Sequence, residues 1–366
     1  MSETSGKSAK NIKLVVSLTV SGAVLIIVIA VVSGILWRRK LVRKKTAETV
    51  NLTSINDDLE RRAGPRRFSY KDLVSATNNF SPERKLGEGG FGAVYRGQLA
   101  GIDTAVAVKK ISRGSKQGKK EYVTEVKVIS QLRHRNLVQL IGWCHDRGEF
   151  LLVYEFMSNG SLDSHLFGKK IPLTWTARYR IALGLASALL YLHEEWEQCV
   201  VHRDVKSSNI MLDSSFNVKL GDFGLARLMD HELGPQTTDI STGRASKESD
   251  VYSFGVVSLE IATGRKAVDA IEQKSEMSLV EWIWDLCGTG KLNLANQMEC
   301  LMIVGLWCAH PDRNIRPSIR QAIHVLNFEA PLPNLPTKMP VPLYHVPTPS
   351  LSSGEPLISH SMDVGR

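Results

Sequence analysis

The 366-residue sequence predicts a globular α+β body that follows a single membrane-spanning helix. Two observations predict this class. Residues 14–37 contain no charged side chain, whereas residues 68–328 alternate short apolar runs with helical periodicities. Hydrophobic residues make up 43% of the chain, which is enough for a packed core. A wholly disordered chain is therefore excluded.

The first predicted element is a transmembrane helix from Leu14 to Trp37. At about 1.5 Å per residue, this run is longer than the ~30 Å hydrocarbon core of a bilayer. Three alternatives fit less well. A buried core helix is rarely apolar all round over such a length, a cleaved signal peptide has a shorter apolar region, and an interfacial helix shows a polar face.

The flanks of this helix predict its orientation. Six basic side chains lie within residues 38–45, whereas only three lysines precede the span. The positive-inside rule therefore places residues 1–13 outside and the C-terminal body in the cytosol. The same basic cluster should attract anionic lipid headgroups.

The charge distribution argues against a nucleic-acid partner. The formal net charge is +9, but residues 1–13 carry +2 and residues 38–67 carry +6. Residues 68–366 therefore carry only about +1, and a globular part without a basic excess is not typical of nucleic-acid binding. The five cysteines are scattered and lack the spacing of a disulfide framework or a zinc site.

Composition divides the rest of the chain into three parts. Residues 38–79 are predicted to be a basic juxtamembrane linker, and residues 80–328 a folded domain. Residues 329–366 hold eight of the 14 prolines and are predicted to be a disordered tail.

A glycine-rich segment opens the predicted domain. Gly87, Gly89 and Gly92 form a G-x-G-x-x-G pattern between Leu86 and Val94. Alone this pattern also fits a dinucleotide-binding turn or a mobile loop. Here a strand rather than a helix follows, and Val94 stands two residues after the last glycine. This arrangement is typical of a loop over ATP phosphates, because glycine lets the backbone approach anionic oxygens closely.

The β-rich run that follows supplies a lysine. Side chains alternate across a strand, so Ala107 and Lys109 share one face while Val108 and Lys110 share the other. A small side chain beside adenine and an ammonium that reaches phosphate belong together, which favours Lys109 over Lys110. Two lysines on a solvated edge strand remain the alternative.

The next segment predicts a helix with a carboxylate among apolar side chains. Tyr122, Glu125, Val126 and Ile129 fall on one inward stripe. Burying Glu125 without a cation would be costly, so we expect it to pair with Lys109. An exposed position on the helix flank is the alternative.

A buried strand over residues 151–157 predicts an adenine-binding connector. Backbone groups of Glu155 and Met157 could meet the adenine edge, with Tyr154 at the back of the pocket. Met211 is a further candidate ATP contact. The run 151–157 taken alone indicates only a strand.

The catalytic candidates form two short polar motifs. The first runs from His202 to Asn209 and reads HRDVKSSN. In it, Asp204 can accept a hydroxyl proton, Lys206 can stabilise phosphoryl charge, and Asn209 can bind Mg²⁺. The second reads DFG, in which Asp222 would hold the Mg²⁺ that bridges the phosphates.

With these motifs the body resembles a plant receptor-like (Pelle-related) protein kinase. The motifs GEGGFGAV, VAVK, HRDVKSSN, DFG and SDVYSFGVV carry the resemblance. The stretches FSYKDLVSATNNF and LWCAHP are similar to the L-type (legume) lectin-domain receptor kinases. The resemblance implies a bilobal eukaryotic protein kinase fold with a β-rich N-lobe and a helical C-lobe. It also implies ATP with Mg²⁺, protein Ser/Thr substrates, a possible receptor-kinase partner and a single-pass location in the plasma membrane.

The resemblance also implies regulatory residues. An arginine at position 203, before the catalytic aspartate, implies control by phosphorylation of the activation segment, since it needs an anionic partner. Candidate phosphorylation sites in that segment are Thr237, Thr238, Ser241 and Thr242.

The chain departs from the family in three places. It carries no lectin ectodomain, no A-P-E motif lies between Asp222 and Asp250, and residues 291–297 are abbreviated. We expect Arg316 to have lost the glutamate of the A-P-E motif as its partner, which would cost roughly 3–5 kcal/mol. Two functions therefore remain open, an active kinase and an ATP-binding but catalytically impaired interaction module.

Overall fold

The structure is a computed structural model. It describes residues 32–40, 64–90, 92–101, 105–112, 115–146, 148–229, 246–267, 277–289 and 296–340. The chain divides into two compact units. The first unit comprises Met1–Ser164 and Ser187–Arg244, and the second comprises His165–Ala186 and Ala245–Arg366.

A six-stranded sheet forms the core of the first unit. Its strands are β1 (Arg66–Arg67), β2 (Lys85–Gly89), β3 (Gly92–Gln98), β4 (Ala105–Ile111), β5 (Leu140–Asp146) and β6 (Glu149–Glu155). Their order is β1-β5-β6-β4-β3-β2, with β1 parallel to β5 and the other pairs antiparallel.

Strand β4 shows the predicted alternation of faces. Val106 and Val108 are fully buried, whereas Ala107 and Lys109 are partly exposed on the opposite face. The strand lies close to Gly92 of β3, where a Cβ atom would come within 2.1 Å of the Lys110 carbonyl oxygen. Only glycine therefore fits at the start of β3.

Helix α2 (Lys116–Ile129), which carries the predicted stripe, packs on this sheet. The Ser115 hydroxyl caps its first turn by accepting the Gly118 amide at 2.9 Å. Tyr122, Glu125, Val126 and Ile129 are all buried, so the predicted helical face is confirmed.

Residues 64–79 are folded, so the prediction of a linker up to residue 79 is wrong for this stretch. Helix α1 (Tyr70–Ala76) begins with a capping box between Ser69 and Asp72. Phe68, Leu73 and Ala76 of this region are buried in the core of the sheet. The charges of Arg66 and Arg67 suggested a linker, but these residues form edge strand β1.

Two small sheets complete the first unit. Strands β7 (Gly160–Ser161), β9 (Ile210–Leu212) and β10 (Val218–Leu220) form an antiparallel sheet in the order β10-β9-β7. Strands β8 (Cys199–Val201) and β11 (Arg227–Met229) form the other. Helices α3 (Asp163–Leu166) and α4 (Trp175–Leu190) follow β7 in the chain, and both cross the boundary between the units.

Helices dominate the second unit. They are α5 (Lys247–Thr263), α6 (Leu279–Gly288), α7 (Asn296–Cys308) and α8 (Ile319–Leu326). Helix α5 packs against α7, and α8 begins with a capping box between Ser318 and Gln321. The strand-rich and helical parts fit the predicted bilobal class.

The predicted tail and span are described only in part. Residues 329–340 contain no helix or strand, and the Trp284 indole donates a hydrogen bond to the Pro336 carbonyl at 2.9 Å. Residues 341–366 lie outside the described part of the chain. Residues 32–40 are helical, but most of the predicted span 14–37 lies outside the described residues. Among the helices that are described, none has the length and apolar character needed to cross a bilayer.

Candidate active site

Lys109 of β4 lies between two carboxylates. Its Nζ is 2.9 Å from Glu125 Oε2 and 2.8 Å from Asp222 Oδ1. The Glu125 side chain is 1% exposed, that of Lys109 is 18% exposed and that of Asp222 is 42% exposed, so the cluster extends from the interior to the surface. The predicted pairing of Glu125 with Lys109 is therefore confirmed.

Tyr154 completes this cluster from β6. Its hydroxyl donates a hydrogen bond of 2.5 Å to Glu125 Oε1, the oxygen that does not face Lys109. Both carboxylate oxygens of Glu125 therefore have partners, which fixes the orientation of the group. The sequence placed Tyr154 at the back of the pocket but did not show this contact.

The ionisation of the cluster follows from burial and proximity. Burial raises the pKa of the Glu125 carboxyl above its ordinary value. Burial also opposes ionisation of Asp222, but the Lys109 ammonium outweighs it and lowers the pKa of that carboxyl. Lys109, despite its burial, has a raised pKa because both carboxylates favour its charged form. One ammonium therefore faces two carboxylates, which favours the approach of a further cation.

The register of the sheet arranges the predicted nucleotide-binding residues in two neighbouring rows. Gly87 pairs with Val94, and Val94 pairs with Lys109. On the next strand pair, Ala107 faces Tyr154. The glycine-rich strands, the lysine strand and the connector strand are thus held at fixed positions by their backbone hydrogen bonds.

The space beside the glycine-rich strands is open. Chain neighbours aside, no atom of the described residues would lie within 4 Å of a Cβ atom built on Gly87 or Gly89. Leu86 beside them is 49% exposed. A bare backbone with open space is what close approach by phosphate oxygens requires.

The connector after β6 uses the side chain of Glu155 for structure. Its Oε1 accepts Lys219 Nζ at 2.9 Å and the Gln139 amide at 2.7 Å. This side-chain oxygen is thus engaged within the protein, and contact of the Glu155 backbone with a nucleotide stays a prediction. Met157 is buried just beyond it, and Met211 is partly exposed on β9.

The catalytic loop gathers three of the predicted residues around one carboxylate. Asp204 Oδ2 accepts hydrogen bonds from Lys206 Nζ and Asn209 Nδ2, both at 2.8 Å. Asn209 Nδ2 also donates to the Asp204 carbonyl at 2.9 Å. Because its nitrogen faces Asp204, the amide oxygen of Asn209 points elsewhere and can serve as a cation ligand.

His202 joins this loop to the segment that carries Asp222. Its Nε2 lies 3.0 Å from the Gly221 carbonyl oxygen, and its ring packs edge-on against Phe223 at 4.7 Å. The Gly221 amide in turn donates to the Asn209 carbonyl at 3.0 Å. Sequence reasoning gave His202 no role. Its only signal was its place two residues before Asp204.

Two site residues have unusual backbone conformations. Arg203 has a φ of 72° and Asp222 a φ of 61°, values that residues other than glycine seldom adopt. Such strain is commonly retained at functional sites, where the surrounding structure enforces it. The predicted phosphorylation sites Thr237, Thr238, Ser241 and Thr242 lie outside the described residues, so the regulatory role of Arg203 stays a prediction.

Arg316 of the second unit, which was expected to have lost the glutamate of the A-P-E motif, is held by other groups. Its guanidinium donates to the carbonyl oxygens of His310 at 2.8 Å, Glu248 at 2.9 Å and Pro311 at 3.4 Å. It also lies 4.7 Å from the centre of the Tyr252 ring. Backbone carbonyls and an aromatic face hold this cation.

The fit to a divalent metal rests on two oxygen donors. Asp222 supplies a carboxylate, and Asn209 can supply its amide oxygen. In the described part of the chain, no group of three or more His, Cys, Asp or Glu side chains is placed to hold a metal. Mg²⁺ commonly takes one or two protein ligands together with waters and substrate phosphates, so this donor set suits it.

Comparison with known proteins agrees with this site. Residues 80–326 match the family described as protein tyrosine and serine/threonine kinase. L-type lectin-domain containing receptor kinase IX.1 of Arabidopsis thaliana is 63% identical over 386 residues, covering 97% of this chain and 59% of the relative. Receptor kinase IX.2 of the same plant is 55% identical over 392 residues, with 98% and 58% covered. The relative SIT2 of Oryza sativa subsp. japonica is 44% identical over 346 residues, with 88% and 50% covered.

The chain spans less than three fifths of the length of these curated relatives. Within that span the matches confirm the resemblance that the motifs carry.

Proposed function

Because the chain belongs to the protein tyrosine and serine/threonine kinase family, we propose that it transfers the γ-phosphate of ATP to Ser and Thr hydroxyls of proteins. The observation that carries this proposal is the cluster of Lys109, Glu125 and Asp222. Catalysis of phosphoryl transfer requires both the lysine–glutamate pair and the metal-binding aspartate.

The metal would be held by Asp222 and Asn209. Mg²⁺, when bound with ATP, neutralises charge on the phosphates. The excess of negative charge around Lys109 supports a cation at this place. Leu86, Gly87, Gly89, Gly92 and Val94 would cover the phosphates, while Ala107, Tyr154, Glu155, Met157 and Met211 would surround the adenine.

The residues of the catalytic loop would handle the proton. As the substrate oxygen bonds to the γ-phosphorus and the bond to the leaving β-phosphate oxygen breaks, a carboxylate oxygen of Asp204 would take the hydroxyl proton. Lys206 contacts Asp204 and would stabilise the charge of the transferred group. A lysine at this position supports Ser/Thr rather than Tyr specificity.

Membrane anchoring is part of the proposal. The uncharged run 14–37 and the basic residues after it support a single-pass protein whose kinase domain faces the cytoplasm at the plasma membrane. The printed names of the relatives describe receptor kinases. We therefore propose protein substrates, anionic lipid and a partner receptor kinase as binding partners.

A second function is favoured by a specific observation. The alignment with receptor kinase IX.1 extends over 386 residues, yet 97% of this chain is only about 355 residues. About 30 aligned positions therefore have no counterpart here, in keeping with the missing A-P-E motif. The region of an A-P-E motif would help to seat a peptide, so a chain without it could bind ATP and partners without efficient transfer.

The two functions separate in one experiment on the full chain in nanodiscs. Mg-ATP affinity is measured by calorimetry, and transfer of labelled γ-phosphate to myelin basic protein is measured in parallel. Asp204→Asn should lower transfer about 10²–10⁴-fold, because it removes the proton acceptor. Asp285→Asn, the same change on α6, serves as the matched control.

Each result decides between the functions. Transfer that is lost in Asp204→Asn but kept in Asp285→Asn supports the kinase. Mg-ATP binding with equal background transfer in all three proteins supports the interaction module. No Mg-ATP binding by the well-folded chain overturns both.

A further inference from the structure

Strand β4 has a second face, opposite Lys109, that the site does not use. Val106 and Val108 on this face are fully buried, and Lys110 lies on the same side. Residues 68–80 cover it, with Phe68 and Leu73 in the same core cluster and Phe80 packed against it. The family match begins only at residue 80, so nearly all of this cover lies before the matched domain.

The cover ends in a left-handed turn. Asn78, Asn79 and Phe80 have φ values of 52°, 55° and 54°, and three consecutive left-handed residues other than glycine are rare. Buried Thr77 holds the turn, since its hydroxyl donates to the Leu73 carbonyl at 2.7 Å and accepts the Phe80 amide at 3.1 Å. A strained conformation persists only where its surroundings enforce it. Here the result is that Phe80 points back onto the sheet.

The Phe80 ring contacts both strands of the β3–β4 hairpin. It meets the Tyr95 ring of β3 edge-on, with centroids 5.4 Å apart. Lys110 Nζ of β4 lies 4.3 Å from the centre of the Phe80 ring, which is a cation–π distance. Tyr95 follows Val94, and Lys110 follows Lys109. One ring therefore touches the immediate neighbours of two predicted nucleotide-binding residues.

Packing on the outer side of the hairpin is uneven. Val106 and Val108 of β4 are fully buried, and Lys110 Nζ also lies 5.7 Å from the centre of the Tyr70 ring and 3.8 Å from Glu149 Oε1. The neighbouring strands β2 and β3 are less well covered. Every residue of β2 is exposed, and most of β3 is only partly buried. Segments with few buried contacts open at low free energy, so a directional contact there has a large influence on position. Both the edge-on ring pair and the cation–π contact depend on geometry.

We propose that Phe80 is a positioning residue that sets the placement of Lys109 and the glycine-rich strands for Mg-ATP. It acts through Tyr95 and Lys110 and does not touch the nucleotide. The inference rests on the proposed function, because it presumes that this hairpin binds ATP.

The test compares two phenylalanines of the same segment. Phe80→Leu removes the ring that contacts the hairpin. Phe68→Leu makes the same change at a more deeply buried ring that packs beside Gly142 of β5, two strands away from β4 in the sheet. Phe80→Tyr keeps an aromatic ring at this position. Mg-ATP affinity of the full chain in nanodiscs is measured by calorimetry, and amide hydrogen exchange is measured by mass spectrometry.

Phe80→Leu should weaken Mg-ATP binding about three- to tenfold and speed exchange selectively in residues 92–111. Phe68→Leu should change affinity less than twofold, and Phe80→Tyr should keep the wild-type value. If Phe80→Leu does not fold, Phe80→Met replaces it, because methionine fills a similar volume without an aromatic face.

Two results would overturn the proposal while the proposed function stands. These are an unchanged affinity in Phe80→Leu, and equal losses in Phe80→Leu and Phe68→Leu, which would mark a merely structural role. A wild-type chain that fails to bind Mg-ATP would overturn the proposed function and this inference together.

Discussion

Lys109 in the first unit and Arg316 in the second are both held by short contacts, but by different chemistry. Lys109 faces two carboxylates, Glu125 and Asp222. Arg316 faces three neutral carbonyl oxygens and the ring of Tyr252. The carboxylates are ionisable and carry charge, whereas the carbonyl oxygens are neutral. The comparison separates a cation held by charged groups in the first region from one held by neutral backbone groups in the second.

The largest effect should come from removing the cation of the first region. Lys109→Met leaves the buried carboxylate of Glu125, which is 1% exposed, and the partly exposed carboxylate of Asp222, which is 42% exposed, without their ammonium. Breaking a buried pair in this way should lower the free energy of unfolding by about 3–5 kcal/mol, measured by urea denaturation. Transfer of phosphate should fall to background, since the lysine–glutamate pair is required for catalysis.

Lys219→Met is the matched control for that change. Lys219 pairs with Glu155 at 2.9 Å, and the two lysines are about equally exposed, but Glu155 is 29% exposed and Glu125 only 1%. The carboxylate left behind can therefore be hydrated, and the loss of unfolding free energy should be smaller than in Lys109→Met. Equal losses in the two variants would show that burial does not distinguish these ion pairs, and the comparison would fail.

The sequence predicted the first region well because its signals are local. The alternation of side chains along a strand predicted that Ala107 and Lys109 share one face of β4. The helical spacing of apolar residues predicted that Glu125 faces inward. The hydroxyl of Tyr154 escaped prediction, because it reaches Glu125 through packing of a strand on a helix 29 positions away.

The sequence predicted the second region less well. The missing A-P-E motif predicted that Arg316 had lost a carboxylate partner, but it did not predict the backbone carbonyls that Arg316 contacts. A sequence cannot show which carbonyls will turn toward a given side chain. The linker prediction failed at Arg66 and Arg67 for a similar reason. Their two-residue strand pairs with Gly142 and Trp143, far along the chain, and leaves no local pattern.

Tyr154→Phe should have an intermediate effect on Mg-ATP affinity, measured as a function of pH. Burial raises the pKa of Glu125. As the pH falls through that raised value, Glu125 gains a proton, its ion pair with Lys109 weakens, and Mg-ATP affinity should fall. The Tyr154 hydroxyl favours the ionised carboxylate. Removing it should raise the pKa of Glu125 further and move the loss of affinity to higher pH. Calorimetric titrations between about pH 5 and about pH 8 measure this shift.

Tyr122→Phe provides the control for the hydroxyl. Tyr122 is also buried, but its hydroxyl donates to the Cys144 carbonyl at 3.3 Å rather than to Glu125. Its pH profile of affinity should match that of the wild type. If the profiles of both variants shift equally, or if neither shifts, the loss of Mg-ATP affinity at low pH does not come from protonation of Glu125.

The smallest effect should come from Arg316→Lys in the second region. An ammonium keeps the charge but cannot reproduce the planar set of donors that reaches His310, Glu248 and Pro311. With the lost hydrogen bonds only partly replaced, the free energy of unfolding should fall by about 1–2 kcal/mol in urea denaturation. Arg313→Lys, at a nearby exposed position, should change it by less than about 0.5 kcal/mol. A loss in Arg316→Lys as large as that of Lys109→Met would mean that carbonyl oxygens hold a cation as strongly as carboxylates, and the expected difference between the two regions would then be wrong.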